Sequence, residues 1–463
     1  MYLVKRDTST VTNADTAWIL SSTTLVFLMV PGVGYFYSGM ARSKNALSLI
    51  FLSMITLAVV SVQWFIWGYS LSYSETGGVF IGDLRHAFFM NVGMEPHPVA
   101  PAIPATVFAA YQCMFAAITG ALAFGAAAER ARLLPCLVFL FIWITMVYNP
   151  VAYWTWGPQG WLKTLGSLDF AGGTPVHICS GMAALAYALV VGRRKGYGAE
   201  DFKPHNCSHI MLGTALLWFG WFGFNAGSTF AANARSGMTA LVTHLAAGTS
   251  GLTWCLLAYR HQRKLSSFHF CSGVVSGLVA ITPGAGFVAP WAAFVIGLLA
   301  GTVCHFAAEL KHRLKYDDAL DVFAVHGVGG FLGNLLTGIF AQASMAALDG
   351  TSIPGGWVSG NWIQLPIQLA ASVSGGVWSF VLTIIILYIM NYIPSMRLRA
   401  DEVDEIMGMD GSQMGEYGYD FAAPSTRSID LSIGPTPALS TRKGSGPKEE
   451  SFPTNPTLKV SPL

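Results

Sequence analysis

The sequence predicts an all-α integral membrane protein with eleven transmembrane helices and a five-plus-five inverted repeat. Three observations carry that expectation. The 463-residue chain is 53% hydrophobic and only 11% charged, with a mean hydropathy of +0.50, whereas soluble domains carry about 25% charged residues. Its 50 glycines suit helices packed backbone to backbone in lipid. Two stretches, one in each half, also echo each other: LDFAGGTPVHICSG from Leu168 and LDVFAVHGVGGFLG from Leu320. The net charge of +2 argues against nucleic acid as a partner.

A spanning helix needs about 20 apolar residues. Runs of that kind fall at 15–39, 46–73, 104–128, 133–156, 172–192, 209–231, 237–260, 268–287, 290–310, 322–343 and 364–393. The loop after span 1 holds Arg42 and Lys44, and the loop after span 3 holds Arg130 and Arg132. Span 5 is followed by Arg193, Arg194, Lys195 and Lys203, span 7 by Arg260, Arg263 and Lys264, and span 9 by Lys311, Arg313 and Lys315. Loops after the even-numbered spans offer only Arg85, Lys163 and Arg235. Positively charged loops stay cytoplasmic, so the N-terminus is expected outside and the C-terminus inside. Lys5 and Arg6 vote the other way and imitate a signal peptide, but no cleavage site follows.

The odd count makes span 1 run inward and span 6 outward, so the two sets of five are related by inversion, a recurrent plan in transport proteins. Span 5 then pairs with span 10, and His177 with His326. Span 11 stands outside the repeat. Residues 1–14 form a short outer segment and 394–425 a polar, acidic inner region. Residues 426–463, rich in Ser, Thr and Pro, cannot bury a core and read as a disordered tail.

Seven cysteines lie in or beside apolar runs with no C-x-x-C pair, and are read as small buried hydrophobes. No disulfide, metal site or cofactor is expected. The sequon at Asn206 falls in a loop assigned to the cytoplasm, where glycosylation is not expected.

Intramembrane histidines are costly and most often line a pathway or pair with each other. Gly173, His177 and Gly181 recur every fourth residue, and His326, Gly329, Gly330 and Gly333 repeat the pattern. Each set marks one glycine-smooth helix face, so this repeated pair is read as functional. His244 and His305 lie outside any repeat and are read as packing residues. Trp221, Phe224 and Ser228 share a face, as do Tyr111 and Phe115. Aromatics at such spacing are ordinarily core or interface anchors, and spacing alone does not assign them to a pore.

The motifs DFAGGTPVHICSG, FAAITGALAFGAAAERAR, LLWFGWFGFNAGS and DDALDVFAVHGVGGFLGNLLTGIFA closely resemble the ammonium transporter family (Amt/Mep/Rh) over residues 15–420. VPGVGYFYSGMARSKNALS and EIMGMDGSQMGEYGYD look most like its fungal Mep branch. The resemblance implies a homotrimeric plasma-membrane transporter in which 15–393 form the transport domain and each subunit has its own pore. His177 and His326 correspond to the family's twin pore histidines, and Phe115 and Phe224 to its stacked phenylalanine gate. Trp156 and Ser228 correspond to the external ammonium recruitment site, supported by Asp169, with Tyr111 and Trp221 lining the pore. Retention of His177 resembles the high-affinity, nitrogen-sensing subgroup. Residues 394–425 correspond to a regulatory segment, and the tail beyond suits a kinase, with Ser428 and Ser440 as candidate acceptors.

The expected function is electrogenic uptake of ammonium, and of methylammonium as a second substrate. Ammonium would be gathered at the aromatic site and would lose its proton near the phenylalanines. Ammonia would then pass the histidines, with the proton following. Potassium cannot lose a proton, which would give selectivity without a carbonyl filter. The alternatives are a neutral ammonia channel and an ammonium receptor that does not transport. A haem enzyme would need facing axial histidine pairs, which the sequence does not supply.

Overall fold

The computed structural model describes residues 10–420. Lys5, Arg6, Ser428 and Ser440, and with them the expectation of a disordered tail, lie outside the described residues. Eleven helical segments follow one another: α1 Asn13–Met40, α2 Ser43–Tyr73, α3 Ala105–Ala127, α4 Leu133–Leu165, α5 Gly173–Val191, α6 Cys207–Thr229, α7 Ala234–Gln262, α8 Ser267–Ile281, α9 Pro290–Leu314, α10 Phe323–Phe340 and α11 Gln364–Tyr392. Ten are long and apolar enough to cross a membrane. The eleventh, α8, has 15 residues and spans only about 22 Å at 1.5 Å per residue. Its expected run to 287 stops because Pro283, Gly284 and Gly286 follow within a turn. A short antiparallel pair, β1 Pro96–His97 and β2 Ala100–Pro104, sits in the loop between α2 and α3.

Local sequence sets several of the boundaries. Thr12 caps α1 by accepting from the Asp15 N–H, Asn206 caps α6 through the His209 N–H, and Asn233 with Ser236 forms a capping box on α7. Each satisfies amide groups that a helix start leaves without partners. Pro290 opens α9, where its missing N–H costs nothing.

The two ends of the bundle are distinguishable. The Thr12 N–H donates to Ala102 O at 3.1 Å and the Ala232 N–H to the Asp15 carboxylate at 2.7 Å, so the N-terminal segment lies with the loops that follow α2 and α6. At the other end the Ala400 N–H donates to Arg130 O at 2.9 Å, and the Asp410 carboxylate accepts from the Leu47 and Ser48 N–H groups at 2.9 and 2.8 Å. The C-terminal region therefore folds back against the basic loops. Buried Glu405 fixes it further, accepting from the Lys195 N–H of the loop after α5 at 2.5 Å and pairing with Arg399 at 2.8 Å.

Inside the bundle α1 lies along α6, α7 to α9 pack on each other, and α11 covers α5 and α10. α5 and α10 enter from opposite ends, as inversion demands, and cross through glycine. A Cβ on Gly181 would sit 2.1 Å from the Gly327 nitrogen. Both helices open with a π-helical turn, Gly173–Ile178 and Phe323–Val328. Gly173, His177 and Gly181 all face α10, toward Asn334, His326 and Gly327, as their spacing implied, whereas the expected single face around His326 is corrected. The glycines still sit at the crossing, but Gly329 faces Val279 and Cys304, whereas Gly330 faces His177.

One further reading is corrected. Cys207 is exposed and Cys255 half-buried, so only five of the seven cysteines are buried; Cys207 starts α6 at the rim of the bundle. In the second half the residue that matches Asp169 by its spacing to the histidine is Asp318, which lies just before the echoed stretch. Asp169 and Asp318 each precede their histidine by eight residues. Asp321 has a left-handed backbone (φ 57°), and its carboxylate turns away to pair with Lys311 at 2.5 Å.

Candidate functional site

Phe115 of α3 and Phe224 of α6 stack face to face, with ring centroids 4.1 Å apart and planes inclined by 12°. Both are buried. Trp156, at the N-terminal end, stands nearly perpendicular to Phe115, with ring centroids 6.1 Å apart. Its indole N–H donates to Asp169 O at 2.9 Å. The Asp169 carboxylate accepts from the N–H groups of Gly172, Gly173 and Thr174 at 2.7–2.8 Å, which satisfies the amides opening α5. One residue thus anchors both the indole and the helix that carries His177.

Ser228 donates to Phe224 O at 2.9 Å. The Tyr111 hydroxyl lies 2.8 Å from Gly223 O and 2.9 Å from Phe224 O, and 3.4 Å from the Ser228 hydroxyl. Tyr111 therefore braces the backbone that presents Phe224 and Ser228. Phe222–Ala226 is itself a π-helical turn, and Asn225 anchors it by donating to Thr243 at 3.0 Å.

Beyond the stacked rings lie the histidines. His177 Nδ1 and His326 Nδ1 are 3.2 Å apart. One ring must hold the shared proton as donor while the other accepts, because two bare nitrogens or two N–H groups would repel. Trp221 stacks on His177 with centroids 5.5 Å apart, and its N–H donates to Thr282 at 3.0 Å. His177 Nε2 is buried without a protein partner among the described residues. Such an atom is expensive to leave unsatisfied, so the site suits a small hydrogen-bonding molecule. The two rings border a narrow cavity of 20 Å³ together with Phe224, Trp221, Ile118 and Val325. That is room for little more than one water, which needs about 10–15 Å³ on this measure.

The structure thus brings His177, His326, Phe115, Phe224, Trp156, Ser228, Asp169, Tyr111 and Trp221 into one chain of contacts from the N-terminal end to the centre. His244 and His305 pack on aromatic rings elsewhere, His244 against Trp218 and Phe222 and His305 against Trp254. Sequence reading missed Asn334, which donates to Thr174 and Ser372 at 2.7 and 2.9 Å and ties α10 to the start of α5. It also missed Asp318, which accepts from the Phe323 N–H at 2.8 Å and does for α10 what Asp169 does for α5. The spacing to the histidine, identical in both halves, was the available signal.

A multi-pass helical bundle with stacked aromatics beside a small buried cavity and two touching imidazoles has the build of a membrane transport protein. The comparisons narrow that class. The profile of the Ammonium Transporter Family matches residues 17–419, and the chain belongs to that family. It is 53% identical to Ammonium transporter 1 of Schizosaccharomyces pombe over 88% of this chain and 82% of that one. It is 46% identical to Ammonium transporter MEP2 of Saccharomyces cerevisiae, over 88% of this chain and 83% of that one. The crystal structure of Candida albicans Mep2 superposes with a TM-score of 0.83 at 47% identity, covering 91% of this chain and 94% of that one.

Proposed function

We propose that this protein carries ammonium across the plasma membrane, taking it up at the N-terminal end, which faces outside, and releasing it at the basic end, which faces the cytoplasm. The observation that carries the reading is the His177–His326 contact at 3.2 Å in a cavity too small and too apolar for a hydrated ion. The basic loops at one end and the names of the relatives support the direction and the substrate.

Ammonium would first meet the π face of Trp156 and the hydroxyl of Ser228. A desolvated cation–π contact contributes about 2 kcal/mol, enough to gather the ion but far short of the cost of full dehydration. The ion therefore gives up its proton at the Phe115–Phe224 gate. Neutral ammonia crosses the cavity and donates to or accepts from His177 Nε2. The proton passes between the imidazoles or their waters, and both recombine at the cytoplasmic end, so one positive charge moves per substrate. Methylammonium fits the same scheme. Family membership supports a homotrimer with a pore in each subunit, and the docked segment 402–414 serves as its cytoplasmic regulatory contact. A kinase acting on the tail and a sensing role for the transporter extend the same reading.

The test is electrical. Protein reconstituted in a supported bilayer should give a saturable inward current on adding ammonium and none with potassium. Uptake of ammonium without current would replace the proton relay by a neutral ammonia channel. No uptake of labelled methylammonium in cells lacking their own transporters would leave a receptor.

A further inference from the structure

Beside the histidine pair, between α5, α10 and α11, lies a second cavity of 300 Å³ that plays no part in the pore. Its floor includes Ile178 and Gly327, the residues that immediately follow His177 and His326. Its sides include Met182, Phe331, Val373 and Val377. The groove is thus walled by the two π-helical turns that hold the rings.

Its mouth is continuous with the face that this multi-pass protein turns to the bilayer. Along α11, Leu369, Val373, Val377, Val381, Ile385 and Ile389 recur every fourth residue and are each 44–59% exposed. The groove interrupts that stripe at Val373 and Val377. Its one polar lining side chain, Ser372, is already engaged, donating to Gln368 O at 2.8 Å and accepting from Asn334 at 2.9 Å. Nothing is left to bind a polar solute. An unfilled groove at hydrocarbon depth would lose the dispersion contacts of its whole lining.

We infer that a phospholipid acyl chain occupies this groove and braces the α5–α10 crossing from the bilayer side. The helices touch there without intervening side chains, Gly181 against Gly327. Hydrocarbon packed on Ile178 and Gly327 therefore opposes the movement that would part the imidazoles. Gly376 is the point of control, since a Cβ there would lie 3.3 Å from Ile178 Cγ2 and 3.6 Å from Met182 Cγ. A longer side chain at 376 enters the groove.

The experiment uses the full chain in bilayers containing a phospholipid with a diazirine in mid-chain, with photo-adducts mapped by peptide mass spectrometry. Met182, Phe331 and Val373 should carry several-fold more adduct than Ile385 and Ile389 on the open wall of α11. Gly376→Leu should bring the groove down to the wall level, with Val377→Trp as the second variant should the first fail to fold. Delipidated wild-type protein should melt lower and recover on adding phospholipid, whereas a folded groove-filled variant should melt at one temperature with or without lipid. Uniform labelling along the stripe would overturn the inference. So would displacement of the label by an unlabelled sterol, or crosslinks there to a second protein copy. None of these readouts depends on transport, so they stand or fall apart from the proposed function.

Discussion

Gly330→Ala alters the histidine pair without touching either ring. The new Cβ would lie 2.9 Å from His177 Cβ, 3.1 Å from Gly173 O and 3.2 Å from Ile178 Cγ1. Two of these neighbours belong to backbone or to the root of a side chain, so neither can swing aside. Carbon atoms settle about 3.5–4.0 Å apart, so α10 must retreat from α5 by roughly 0.6–1 Å. The Nδ1–Nδ1 distance, now 3.2 Å, would open to about 4 Å, past the roughly 3.6 Å at which a hydrogen bond is lost.

Overpacking of this kind costs about 1–3 kcal/mol, so the protein should still fold, with a lowered Tm. Transport should suffer more than stability. Methylammonium uptake should fall at least about tenfold, the equivalent of about 1.4 kcal/mol in the barrier. Gly329→Ala is the control on the same helix. Its Cβ meets Val279 Cγ1 and Cys304 Sγ at 3.2 and 3.3 Å, side-chain ends that can move by tenths of an ångström. It should keep nearly full uptake. A folded Gly330→Ala protein with wild-type rate and no potassium leak would refute the claim that ring contact governs conduction.

Asp169→Ala removes the acceptor for three amides at once. A single cap is worth about 0.5–2 kcal/mol, so the loss should exceed that and show as a large drop in Tm with loss of uptake; Asp169→Asn, with one acceptor oxygen, should fall between. Asp410→Ala frees the start of α2 from its only described carboxylate cap, and hydrogen exchange should rise across 402–414 while the rest of the bundle stays protected. Asp318 lies in the loop before α10, where burial first and the neighbouring Asp321 carboxylate second push its carboxyl up to about 6. The folded protein holds this proton more tightly than the unfolded chain does, so the contribution is present at low pH and is lost as pH rises toward and through 6. At about 1.36 kcal/mol per unit, the full swing is about 3 kcal/mol. The Tm of wild type relative to Asp318→Asn should therefore fall between pH 4 and 7, and a pH-independent difference would count against the buried carboxyl.

Most of the architecture was legible because membrane helices announce themselves by length and by the charge of their loops. Ten of the expected spans recur as helices long and apolar enough to cross, while α8 ends early at a Pro–Gly turn. The nine candidate site residues came from resemblance to a family, and the structure brings them together; spacing alone left Tyr111, Phe115, Trp221 and Phe224 as unassigned aromatics. What the chain does not display is helical register where a π turn intrudes. His326, Gly329, Gly330 and Gly333 were expected on one face, yet Gly330 faces His177 while Gly329 faces Val279 and Cys304 and Gly333 faces Ala280. Asp321, inside the second echoed stretch, has a left-handed backbone, and it is Asp318 just before it that accepts from the Phe323 N–H.

The repeat explains why the imidazoles can meet at all. A single helix cannot place two histidine rings in Nδ1 contact at the bilayer centre while keeping both approaches open. Two helices that start from opposite ends, each fixed by a carboxylate eight residues before its histidine, bring one ring each to the middle. Gly181, Gly327 and Gly330 then remove every side chain that would hold them apart. The pair is thus positioned from both membrane faces, and a disturbance at either cap should reach the same contact. On that reasoning Asp318→Ala should impair uptake as Asp169→Ala does, although it lies at the opposite end from the stacked phenylalanines. If only the Asp169 variant lost transport while both proteins folded, the two halves would not share the task of holding the rings.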